Sequence, residues 1–94
     1  MAIVSWKHKG LKDFFNTGTT KGIQADHKGK LGRILAILSS ATHEDELRIP
    51  GFGLHPLNPK ESKIHAVTVN GNWRVTFRFN DDGNAEIVNY LDYH

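Results

Sequence analysis

Cysteine is absent from this sequence of 94 residues, so disulfides and thiolate metal sites are excluded and the fold has to stand on an apolar core. No apolar run is long enough to span a bilayer. The opening stretch Met1-Ala2-Ile3-Val4-Ser5-Trp6-Lys7 lacks the basic region and long apolar run of a secretory signal, which makes the cytoplasm the expected compartment. Repeats, low-complexity tracts and linkers are also missing, and the length suits one domain over 1–94. What is present is ordinary for a folded domain: 38% hydrophobic and 23% charged residues, within the range of soluble globular proteins.

Charge is unevenly spread. Up to Arg33 the chain carries Lys7, Lys9, Lys12, Lys21, Lys28, Lys30 and Arg33 against Asp13 and Asp26, a balance of +5. The remaining 61 residues balance at −3. Such a basic half reads either as a solvated face or as a phosphate-binding surface, since clustered Lys and Arg displace condensed counterions from a nucleic-acid backbone.

The periodicity is helical first and extended later. Leu11, Phe14 and Phe15 at i, i+3, i+4 predict a short helix stopping near Gly18. Leu31, Ile34, Leu35 and Leu38 predict a longer one, capped by Asp26, with Lys28, Lys30 and Arg33 on its outer face. Gly29 and Gly32 inside it imply either a late start or a close backbone approach. Thr42 with Asp45 suggests a capped turn through Leu47, and Pro50, Gly51 and Gly53 break any regular element after it.

Strands come next. Ile64 to Val69 and Asn72 to Asn80 flank Asn70-Gly71, a strong hairpin signal. With those two residues as the loop, Val67 opposes Arg74, Ala66 opposes Val75 and Ile64 opposes Phe77. One face then gathers Ile64, Ala66, Trp73, Val75, Phe77 and Phe79, and the other His65, Asn72, Arg74, Thr76 and Arg78. A second turn at Asp81-Asp82-Gly83-Asn84, with Asp82-Gly83 as its loop, puts Val88 and Tyr90 on the core face. Asn89, Leu91 and Tyr93 then lie beside Thr76, Arg74 and Asn72. A loop of three residues would reverse that parity. The expected fold class is α+β: two N-terminal helices packed on a small, mainly antiparallel, twisted sheet, with Ile3 to Lys7 available to extend one edge.

Two clusters carry chemistry: Asn72-Trp73-Arg74 in the hairpin and Asp92-Tyr93-His94 at the end. Phosphodiester cleavage needs proton-transfer groups and a cation beside the phosphate. A carboxylate, a phenol, an imidazole and a guanidinium supply both.

In order and spacing, four segments resemble one family. They are Lys7-His8-Lys9-Gly10-Leu11-Lys12, Leu54-His55-Pro56-Leu57, Asn72-Trp73-Arg74-Val75-Thr76-Phe77 and Asn89-Tyr90-Leu91-Asp92-Tyr93-His94. The family is the HigB-type toxins of bacterial toxin–antitoxin modules, within the RelE/ParE superfamily. The resemblance implies a metal-independent, ribosome-dependent endoribonuclease that cuts messenger RNA in the A site and needs no cofactor. It also implies restraint by a helix-turn-helix antitoxin of HigA type, with DNA reached only through that antitoxin and no membrane contact.

Carried over position by position, the active residues fall at His55, Asn72, Arg74, Asp92, Tyr93 and His94. Arg74, with a fixed fork of donors, suits charge stabilisation. His55 and His94 suit proton transfer, Asp92 orientation, and Tyr93 hydrogen bonding or base stacking. Many relatives have Lys-Gly after the Leu-His-Pro-Leu motif where this chain has Asn58-Pro59, leaving Lys60 or Lys63 as substitutes. Exposed apolar residues near Trp6, Ile23 or Phe52 are candidates for the antitoxin contact.

Each residue also has a structural reading. His55 caps a turn, Arg74 pairs with Glu86 or Asp92 on a strand surface, and Tyr93 and His94 pin the last strand. Trp73 is core. His8, His27, His43 and His65 show no ligand spacing, so no metal site is expected. The alternatives in function are a non-catalytic RNA- or ribosome-binding module and a ParE-like toxin acting on DNA gyrase, a branch that typically lacks the Asp-Tyr-His ending.

Overall fold

A computed structural model describes residues 2–92; Met1, Tyr93 and His94 lie outside the described residues. Helix α1 (Lys9–Thr17) begins where the His8 ring accepts the Leu11 N–H and ends at Gly18, whose N–H bonds the Phe14 carbonyl. Leu11 is buried, Phe14 half-buried, and Phe15 exposed. The predicted stripe is therefore narrower than its spacing implied, and Phe15 packs outside it, tilted against Trp6 with ring centroids 5.6 Å apart.

Helix α2 (Lys28–Ser40) buries Leu31, Ile34, Leu35 and Leu38 as their spacing required. Asp26 does not cap it: it sits inside a 3-10 turn, Ala25–His27, that leads into the helix. Neither explanation for its glycines holds, since the helix already begins at Lys28 and, among the described residues, no neighbouring atom lies within 4 Å of a Cβ built at Gly29 or Gly32. The close backbone approach is instead between Gly10 and Gly22, where an added Cβ would meet the other backbone at 2.5–2.7 Å. The turn Glu44–Leu47 is capped by His43 with Glu46 in a reciprocal capping box, not by Thr42 with Asp45.

Four strands follow, β1 (His55–Pro56), β2 (His65–Asn70), β3 (Trp73–Phe79) and β4 (Ala85–Asp92), in the order β1-β2-β3-β4 with antiparallel neighbours. The Ile3–Lys7 segment lines the outer edge of β4 through parallel bridges Ile3–Ala85 and Trp6–Val88. This is the α+β architecture expected, with both helices on one face.

The first hairpin differs by one residue. Its loop is Gly71-Asn72, closed by the Asn70–Trp73 pair, with Gly71 at φ +57. A bulge between Thr68 and Asn70 then sets Val67 opposite Val75, Ala66 opposite Thr76 and Thr68 opposite Arg74. A slip of one residue exchanges faces, so Val67 and Val69 enter the core cluster in place of Ile64 and Ala66. His65 stands opposite Phe77 and stacks near its ring rather than joining the polar face.

The second loop contains three residues, Asp81 to Gly83, with Asn80 accepting the Gly83 N–H and donating to the Asn84 carbonyl. A bulge at Ile87 cancels the extra residue, and from Thr76–Asn89 to Trp73–Asp92 the pairing is the one the sequence predicted. Val88 and Tyr90 accordingly lie in the core.

Candidate active face and its aromatic support

Alternation along the paired strands gives the face away from the helices two rows. One runs His55, Ala66, Thr76, Asn89 and the next Thr68, Arg74, Leu91. His55 and Arg74 thus share a face, two strands and one row apart, with Cα atoms about 12 Å from each other at ordinary sheet spacing. Ala66 and Thr76 between them are small and buried, His55 is exposed, and Arg74 is half-buried. The floor is short and the two candidate side chains stand above it.

His55 Nδ1 lies 2.9 Å from the Gly53 carbonyl. A carbonyl only accepts, so Nδ1 carries the hydrogen and the neutral ring keeps Nε2 as its acceptor. Arg74 Nη1 donates to the Gly71 carbonyl at 2.6 Å and the Trp73 carbonyl at 3.2 Å. Both bonds use the same nitrogen and hold the guanidinium over the hairpin turn. Glu86 pairs with Arg78, its Oε2 2.6 Å from Arg78 Nε and Nη2, which disposes of the surface pairing considered between Arg74 and Glu86.

Asp92 pairs with Trp73 across the strands, and alternation assigns it to the Trp73 face at the end of the sheet, opposite Arg74. Tyr93 and His94, the other two members of the terminal cluster, lie outside the described residues. Asn72 is exposed in the turn beside Arg74.

Beneath this end of the sheet, and not foreseen from the sequence, is an aromatic cluster. Trp73 stacks on Tyr90 with centroids 4.7 Å apart, and both His8 and His27 meet Tyr90 edge-on. Tyr90 Oη accepts the Gln24 N–H at 3.3 Å and lies 2.7 Å from His27 Nδ1. Burial raises the pKa of the phenol, against the opposing effect of the Gln24 N–H it accepts. Burial likewise lowers the pKa of His8, against the opposing effect of a backbone hydrogen bond. His8 and His27 also occupy the N-caps of α1 and α2, so the N-terminal residues of both helices adjoin the Trp73–Tyr90 pair. The spacing of His8 and His27 relative to metal motifs carried no hint of this; the signal was their place immediately before helical stripes.

The basic residues divide. Lys7, Lys9 and Lys12 line a groove of about 550 Å³ with Ile3 to Trp6 and Asn16, and Lys9 also pairs with Asp13 at 3.3 Å. Lys30 donates to the Gly51 carbonyl at 2.8 Å, and Lys30 and Arg33 both lie over the Phe52 ring, so these two tie α2 to the loop before β1. Burial and the neighbouring Arg33 lower the pKa of Lys30. Phe52 is fully buried, and Trp6 and Ile23 are partly buried against the core. Lys21, Lys28 and Lys60 are exposed. Lys63 lines a hollow with Arg78 and Glu86, four residues along β3 from Arg74, or about 13 Å at strand rise. His43, Glu44 and Asp45 hold ligand-type atoms within 4.8 Å of one another, a cluster not foreseen in the sequence; His43 Nε2 is already 2.7 Å from Glu44 Oε2.

A helix-backed antiparallel sheet presenting an imidazole and a guanidinium on its bare face is the framework of a RelE-like protein, and the chain belongs to the HigB-like toxins, RelE-like toxins of type II toxin–antitoxin systems, whose family model matches residues 4–94. More particularly, it is similar to a Proteus vulgaris protein named Endoribonuclease HigB: 41% of 92 aligned residues are identical, spanning 98% of this chain and 99% of that protein.

Proposed function

We propose that this HigB toxin is an endoribonuclease that cuts messenger RNA in the A site of the ribosome and stops translation. Its own antitoxin, a partner that membership of a type II system implies, is of HigA type in this reading, and both act in the cytoplasm. The observation that carries it is the shared bare face of His55 and Arg74, flanked by the exposed turn that holds Asn72.

In RNA cleavage without a metal, the ribose 2′-OH attacks the adjacent phosphate, forming the new O–P bond as the 5′-oxygen leaves. His55 Nε2, an acceptor in the tautomer its Gly53 bond imposes, takes the 2′-OH proton. Arg74 turns its guanidinium from the hairpin carbonyls to the phosphate and stabilises the charge that accumulates there. His94 returns a proton to the leaving oxygen, Tyr93 stacks on the unstacked base, and Asp92 orients the terminal groups. Lys7, Lys9, Lys12, Lys21, Lys28 and Lys60 supply contacts to ribosomal or messenger phosphates, while Lys30 and Arg33 combine that role with holding the Phe52 loop.

The test is cleavage of a short message on purified ribosomes programmed with it, compared with the same message free in solution. Cuts within the A-site codon on ribosomes only, lost in Arg74→Ala, are expected. Equal cutting of free RNA would remove the ribosome dependence. An Arg74→Ala protein as active as wild type would remove the site.

A further inference from the structure

The phase of β4 is set by residues that touch neither His55 nor Arg74. Its three-residue loop leaves the Phe79–Ala85 and Arg78–Glu86 pairs one step out of register with the Thr76–Asn89 to Trp73–Asp92 run. Carried to the end of the strand, that step would bring Leu91 under the helices and turn Tyr90 outward.

Ile87 takes up the difference. It sits at φ +49, a conformation that β-branched residues rarely adopt, and it has no partner in the β3–β4 register. Its N–H donates instead to Ser5 Oγ at 2.7 Å, across a sequence separation of 82 residues. The Ser5 carbonyl accepts the Val88 N–H at 3.2 Å, while Val4 and Lys7 donate to the Ala85 and Val88 carbonyls at 2.8 Å. The bulge is thus gripped by one residue's hydroxyl and carbonyl together. Strained backbone persists where its surroundings over-determine it, and such places cluster at functional sites.

We propose that Ser5 is a positioning residue for cleavage: its hydroxyl fixes the Ile87 bulge, and the bulge gives β4 the phase that sets Leu91 beside Arg74 and Asp92 beside Trp73. This rests on Arg74 belonging to the cleavage site. Without the Oγ acceptor, the bulged N–H loses its partner and the end of β4 is held less closely in place against β3, the backbone bonds to Val4, Ser5 and Lys7 remaining.

Single-turnover cleavage on programmed ribosomes tests it. Ser5→Ala is expected to lower the rate at saturating ribosomes on the order of tenfold, less than the roughly 10²-fold that a full 1 Å misplacement can cost, with the half-saturating ribosome concentration unchanged. Ser5→Thr, which keeps an Oγ, is expected to restore the rate. A wild-type rate in Ser5→Ala, or a Ser5→Thr as impaired as Ser5→Ala, would overturn the proposal. Amide exchange on the wild-type protein needs no variant to fold: Ile87 should be protected together with Val88, and exchange at the rate of an open amide would overturn it as well. Arg74→Ala is run in parallel. Full cleavage by Arg74→Ala brings down the site and this inference together, whereas full cleavage by Ser5→Ala beside an inactive Arg74→Ala brings down the inference alone.

Discussion

On the covered face of the sheet Val67, Val69, Val75, Phe77, Val88 and Tyr90 are all buried, while on the bare face His55 is exposed and Arg74 half-buried over a floor of Ala66 and Thr76. The same strands build both faces, since alternation sends successive side chains to opposite sides. Burial of apolar area accounts for the first set at about 25 cal/mol per Å². It accounts for little on the second, where an arginine folded over a turn and an exposed histidine contribute little to holding the chain together. Residues that stability does not explain are the ones that function has to explain, and the two faces separate them.

The largest effects fall on each face in a different currency. Phe77→Ala removes a fully buried ring from the core cluster and is expected to cost about 3–5 kcal/mol in a denaturant titration. Arg74→Ala is expected to change stability by no more than about 0.5 kcal/mol. It should nonetheless lower ribosome-dependent cleavage by roughly 10²-fold or more, as removal of a preorganised charge-stabilising donor does. An Arg74→Ala protein that unfolds like Phe77→Ala would erase the distinction between the faces.

Tyr90 sharpens the boundary, because it belongs to the covered face but carries a polar group. In Tyr90→Phe the stacking on Trp73 remains, while the Gln24 N–H and the buried His27 Nδ1 both lose their partner. Stranding buried polar groups costs about 1–3 kcal/mol, readable as a lowered denaturation midpoint at constant slope. Unchanged stability would mean that water replaces the phenol there and that the helix N-termini are not tied to the sheet through it.

How much of this the sequence displayed is a matter of period and count. The stripe Leu31, Ile34, Leu35 and Leu38 has a helical period over two turns, and it was legible because burial and spacing agree. The faces of β2 were not: closing the loop one residue later shifts the pairing by two and keeps the faces, and it is the bulge between Thr68 and Asn70, one extra residue that no composition announces, that exchanges them. The faces of β4 near Arg74 came out as expected although the loop was longer than assumed, since the Ile87 bulge removed what the third loop residue added. The face that Arg74 occupies followed from alternation. Its hold on the Gly71 and Trp73 carbonyls is local but depends on where the turn closes, whereas the Tyr90 cluster beneath joins residues more than 60 positions apart and leaves no local pattern.

Gly29 probes the solvent side of α2, at the opposite extreme from the packed core. It lies within the helix, and a methyl group added there would have no neighbouring atom within 4 Å among the described residues. Alanine at this position is expected to stabilise the protein by about 0.5–1 kcal/mol through the lower entropy of the unfolded chain and better helix propensity. Thermal melting checks the sign. Cleavage on ribosomes should be unaffected, and a loss would mark that helix surface, bearing Lys28 nearby, as one the ribosome uses.

The smallest effect concerns pH and again contrasts a supporting histidine with the exposed one. The His8 ring accepts the Leu11 N–H at 2.9 Å and meets Tyr90 edge-on, and burial holds its pKa below the usual histidine value. A depressed pKa means that the unfolded chain binds the proton more readily than the folded one. The stabilisation is therefore fully present above the unfolded value of about 6.5 and is lost as pH falls through the lower folded value, when protonation also removes the lone pair that caps α1. Melting temperatures should consequently decline gently from pH 7 toward pH 5. His8→Asn retains a capping acceptor that does not titrate in this range, and it should flatten the decline without changing the high-pH plateau by more than about 1 kcal/mol. A wild-type slope preserved in His8→Asn would place the titration elsewhere, and the N-terminus of α1 would then hold its cap regardless of the charge on the ring.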